Sequence, residues 1–134
     1  MNMKEFKSGE TVLARLIRSD ELQAGLQFFS EDGESIQVGA WTYDKEKTLP
    51  AHIHNEVARK FLRTCETLYV ISGSLKADIY DDAAAKTAET VVYAGDILIL
   101  LSGGHGYEIL EDGTKVLEIK NGPYPGAERD RRRI

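Results

Sequence analysis

Apolar and polar positions alternate in short runs along most of the chain, which predicts strands rather than helices. The alternation is cleanest over residues 74–80, where Leu75, Ala77 and Ile79 share one face. Residues 35–43 behave similarly, with Ile36, Val38 and Ala40 on one side and Gln37, Trp41 and Tyr43 on the other. Residues 66–71, 90–93, 105–110 and 114–120 read as further strands. Residues 26–30 give a short one, and residues 11–17 an edge strand of mixed period. Residues 97–101 are apolar at every position, which predicts a strand covered on both faces. Residues 20–24 support one turn of helix and no more. Ala83-Ala84-Ala85 is too short to nucleate a helix in isolation and reads as a hairpin connection.

The breaks carry turn chemistry: Gly33, Ser72-Gly73, Gly95-Asp96, Ser102-Gly103-Gly104 and Asp112-Gly113. About eight to ten short strands without a long helix predict an all-β fold, an antiparallel sandwich or barrel. The 134 residues predict a single domain over 1–134, with an N-terminal strand extension over about 1–30 and a C-terminal tail over 121–134. Charge narrows the partners. With 22 acidic and 17 basic residues the net charge is -5, which gives no support to a nucleic-acid partner. The one basic cluster, Arg129 and Arg131-Arg132-Arg133, reads as a solvated tail or a set of interface ion pairs. No apolar run is long enough for a membrane span, and the first residues lack a signal-peptide apolar core. Cys65 is the only cysteine, so no intrachain disulfide forms; the expectation is a cytoplasmic protein.

The candidate chemistry rests on three histidines. His52 and His54 form a His-x-His pair after Pro50, and in extended backbone both imidazoles fall on one face. His105 follows the glycine pair 103–104, which lets the backbone pass close to a site. Glu66 heads an otherwise uncharged strand, and a buried carboxylate there requires a partner. Taken singly, each is as well explained by surface exposure or core packing. Taken together they offer three imidazoles and a carboxylate, a ligand set for iron, manganese, nickel, cobalt or zinc and not for an all-oxygen calcium or magnesium site. Tyr107 shares a strand face with His105, and Arg59 or Lys60 is placed to meet an anionic substrate group. Glu56 is a rival carboxylate ligand. Cys65 reads as a packed or supporting residue rather than a nucleophile. No phosphate loop, Cys-x-x-Cys or Gly-x-Ser-x-Gly motif is present.

The set resembles the two motifs of the small single-domain cupins. Gly39, His52-Ile53-His54, Glu66 and Gly73 are similar to the first motif, and Gly95-Asp96, Gly103 and His105 to the second. The resemblance spans roughly residues 37–120. It departs from the family pattern in an insertion over 55–65, and in Leu101 standing where the second motif has proline, within a shortened loop. It implies an antiparallel double-stranded β-helix, the jelly-roll barrel, with His52, His54, Glu66 and His105 binding a divalent metal in its mouth. It also implies a homodimer. The function it implies is a metal-dependent isomerase, dioxygenase or lyase acting on a small oxygenated molecule, such as a sugar derivative or a hydroxy or keto acid. A non-catalytic module binding a small molecule or carbohydrate is the alternative.

Overall fold

The structure, a computed structural model, describes residues 3–134. Its ten strands are β1 (Lys4–Ser8), β2 (Thr11–Ile17), β3 (Gly25–Phe28), β4 (Gly39–Thr42), β5 (Glu66–Ser72), β6 (Ser74–Tyr80), β7 (Lys86–Tyr93), β8 (Ile97–Leu100), β9 (Gly104–Ile109) and β10 (Lys115–Lys120). The helices are a 3-10 turn over Ser19–Glu21 and one short α-helix, α1 (Ala127–Asp130). No helix among the described residues is long and apolar enough to cross a membrane.

Every strand pair is antiparallel. The larger sheet runs β1-β2-β8-β5-β10, the smaller β7-β6-β9, and β3-β4 form a separate ribbon. Register assigns the faces. Leu68 lies opposite Leu98 and Val70 opposite Val116, so these point the same way as Leu16 and Leu100. On the smaller sheet Leu75, Ala77 and Ile79 lie opposite Ile109, Tyr107 and His105. The two inner faces meet in one core that includes Leu16, Leu68, Val70, Leu75, Ile79, Val92, Leu98 and Leu100. The outer face of β2 and β8 is covered by the segment around β3 and β4, where Phe29 and Ile36 pack on Ile17, Ile99, Cys65 and Leu101. This double coverage is why residues 97–101 are apolar throughout.

Arg15 pins that covering segment. Its guanidinium donates to Glu34 Oε1 at 2.5 Å, Glu5 Oε2 at 2.8 Å and the Phe29 carbonyl at 3.1 Å, with only 2% of the residue exposed.

The sheets do not close into a barrel. β9 and β10 are terminal strands of their sheets and neither pairs with a further strand, so the sandwich is open along that flank. Three other expectations differ. Residues 11–17 are not an edge, because β1 pairs beyond them. The strand expected over 35–43 is reduced to Gly39–Thr42, since the Gln37 amide caps the carbonyls of Glu31 and Glu34 in the preceding turn. The His-x-His segment is not a strand: residues 43–62 have no regular structure beyond a turn and are exposed throughout.

Candidate functional site

The open flank holds a cavity of about 670 Å³. Its floor follows from strand parity. Glu66 starts β5 opposite Lys120 and diagonal to Glu118, so all three carry their side chains on the inner face. His105 and Tyr107 alternate with Gly106 on β9 and face inward from the other sheet. Gly103 turns the chain into β9 at φ +72°, and a Cβ there would stand 2.0 Å from the Tyr80 carbonyl oxygen. Only glycine fits this approach.

His105 Nε2 lies 2.9 Å from Glu66 Oε2. The other carboxylate oxygen, Oε1, is buried and has no hydrogen-bond partner. Burial raises the Glu66 carboxyl, but the hydrogen bond with His105, the neighbouring Glu118 and the charges of His105 and Lys120 overcome it and hold the pKa at about 2. Glu118 moves the opposite way: the adjacent Glu66 carboxylate and its own burial raise it. The Tyr107 ring stacks on His105 at 5.2 Å between centroids, and burial together with the charges of Glu66 and Glu118 pushes its hydroxyl well above the usual range. Tyr107 is a hydrogen-bond donor at neutral pH.

His52 and His54 lie in the exposed 43–62 segment, with their Nε2 atoms 3.2 Å apart. Two ring nitrogens bound to one ion at about 2.0–2.1 Å each are held roughly 2.9–3.4 Å apart, so the pair has a chelating bite. The Glu66–His105 contact is instead a hydrogen-bonded pair. The four side chains nevertheless form two pairs, not one cluster: among the described residues no group of three or more His, Cys, Asp or Glu side chains converges as a metal site. Arg59 is also outside the cavity, exposed and donating to the Val57 carbonyl at 3.3 Å, and Glu56 is exposed on the same segment. Cys65 is buried on the outer side of the larger sheet, its thiol donating to the Leu101 carbonyl at 3.4 Å and raised in pKa by burial.

Two groups in the cavity were not foreseen as functional. Glu118 and Lys120 were legible from parity, since they alternate with Leu117 and Ile119 on β10. The C-terminal arginines were not: Arg131, Arg132 and Arg133 border the cavity while remaining exposed to solvent. Comparison with known proteins finds no matching family model, no matching curated protein and no matching solved structure.

Proposed function

We propose that this chain is a small metal-binding protein of cupin type, and an enzyme acting on a small oxygenated molecule at the open flank. The observation that carries the reading is Glu66: a buried carboxylate, paired with His105 on one oxygen and unpartnered on the other, facing a cavity of ligand size. The His52 and His54 ring nitrogens are spaced for chelation. The remaining requirement is movement of the segment that carries His52 and His54. Among the described residues, 43–62 make no hydrogen bond to the rest of the chain; the interactions found, such as Lys47 N to Asp44 O, are internal. Such a segment is drawn from the low-stability end of the fold and reorients at little cost. The unpaired edges of β9 and β10 border the cavity and offer it backbone partners.

A divalent transition metal held by His52, His54, Glu66 and His105 would supply Lewis acidity toward a substrate oxygen. The chain's own residues do the rest. Glu66 and His105 fix one side of the ligand set, and Tyr107 donates a hydrogen bond to an oxygen of the bound molecule. Closure of residues 43–62 excludes water from the flank. A dimer belongs to the same reading. The outer face of β5 and β10 leaves Tyr69, Ile71, Leu117 and Ile119 exposed, and Leu26, Phe28 and Trp41 on β3 and β4 are exposed as well.

Calorimetric titration of tag-free, metal-stripped protein with Mn, Fe(II), Ni and Zn tests the reading. One equivalent is expected to bind, with affinity falling at least about tenfold in both the H52A/H54A and H105A variants, the scale set by loss of a ligand or its support. Equal affinity in all three proteins ends the four-ligand site. A second reading is favoured by the separation of the two pairs: Glu66–His105 is complete as a carboxylate-oriented imidazole, which would act as a general acid–base without metal. In that case wild-type protein takes up no metal and the H52A/H54A variant behaves as wild type.

A further inference from the structure

Arg131, Arg132 and Arg133 border the cavity that holds Glu66, His105 and Tyr107. Residues 131–134 extend from α1, and two contacts tie that end of the chain to the cavity. Asp130 accepts a hydrogen bond from the Thr64 hydroxyl, next to the start of β5. Ile134 closes over Gly104, where a Cβ would approach its Cδ1 to 2.9 Å. Between these anchors Arg131, Arg132 and Arg133 line the same cavity as Glu66, His105 and Tyr107.

The charges around the cavity do not balance. Glu66 is engaged by His105, and Asp82 by Arg63 at 3.3 Å. Glu118 lies 3.9 Å from Lys120, and Asp81 Oδ1 accepts the backbone N–H groups of Ala83 and Ala85. Asp130 is held by Thr64. Each cavity acid thus has a partner, whereas none of the three arginines forms an ion pair or a side-chain hydrogen bond among the described residues. Three unpaired, exposed arginines therefore border the cavity, and guanidinium is the side chain that binds carboxylate or phosphate oxygens in bidentate fashion.

We propose that the cavity takes a small organic anion. Its carboxylate or phosphate group is held by Arg131–Arg133, and its other end, bearing oxygen, reaches Tyr107 and the Glu66–His105 pair. This rests on the cavity being the functional site and specifies the class of molecule it accepts. The segment over 121–134 is then a specificity element and not a solvated tail. An all-neutral sugar lacks the group that the arginines select.

The test titrates the tag-free 134-residue chain, metal-stripped and metal-loaded, with succinate and separately with inorganic pyrophosphate at low salt. Binding of at least one is expected, weakening by about tenfold in R131Q/R132Q/R133Q and less in the triple-lysine variant, which keeps charge but loses the fork. The tighter-binding arm tells carboxylate from phosphate. Metal titration of the triple-glutamine variant should match wild type, so loss of the anion site is separable from loss of the metal reading. The inference is overturned if neither anion binds up to millimolar concentration. It is equally overturned if the triple-glutamine variant binds as wild type does, or if a single-stranded RNA binds where both small anions fail.

Discussion

Glu34→Ala tests whether Arg15 organises the outer half of the molecule. Arg15 is 2% exposed and its charge is met by Glu34 at 2.5 Å and Glu5 at 2.8 Å, with Glu31 at 3.9 Å. Breaking a buried ion pair outright costs about 3–5 kcal/mol, because a charge is left without compensation. Here Glu5 and the Phe29 carbonyl remain, and Glu34 is itself partly solvated, so roughly half of that, about 2 kcal/mol, is expected. With an unfolding entropy of about 2.1 cal/mol/K per residue over 134 residues, this lowers the melting temperature by roughly 7 °C. Arg15→Met and the double variant complete a cycle; the coupling should be about 1–2 kcal/mol, as for partners in direct contact. Urea denaturation with an unchanged slope is the assay. A loss below about 0.5 kcal/mol, the range of an ordinary surface change, would refute the assignment of Arg15 as the clamp on the 29–40 segment.

Acid should weaken the metal-free protein through Glu66. Its pKa of about 2 lies below the unfolded value, so its contribution is present above about pH 4.5 and is lost as pH falls toward 2; E66Q should flatten that limb of a urea-midpoint profile, and an unchanged profile counts against the pair. Gly103→Ala combines a positive φ with a Cβ 2.0 Å from a carbonyl oxygen, so a loss of at least about 2 kcal/mol is expected; thermal melts near wild type would contradict the close approach at this turn. Light scattering at micromolar concentration should give twice the 14.9 kDa chain mass, and the monomer mass would sink the dimer; L117E with I119E should shift the protein toward monomer.

How much was readable from the sequence depended on whether a residue's surroundings lay along its own strand or across the fold. β6 and β8 were legible because burial on one or both faces imposes a visible period or run. β1 was not, since a sheet-edge strand such as Lys4-Glu5-Phe6-Lys7-Ser8 buries only Phe6 and otherwise shows charge to solvent. The first half of β7 was hidden for the same reason, since of Lys86–Glu89 only Ala88 packs on the core. The inward pointing of His105, Tyr107 and Glu66 followed from parity. The position of the His52–His54 pair did not, because a polar segment without a ladder has no period from which to read direction. The arginine tail was unreadable by any local pattern: what draws it back is the contact of Asp130 with Thr64, 66 residues away in sequence.

The return of residues 131–134 to the cavity has a practical side. Any peptide joined to Ile134 leaves the chain at the mouth of the open flank, beside Gly104 and His105. A C-terminal polyhistidine tag would bring surplus imidazoles within reach of Glu66 and could counterfeit the very ligand set in question. A tag on the N-terminal side enters at β1, at the opposite edge of the larger sheet from β10. The choice of terminus in preparing this protein therefore decides whether metal uptake reports on the fold or on the handle.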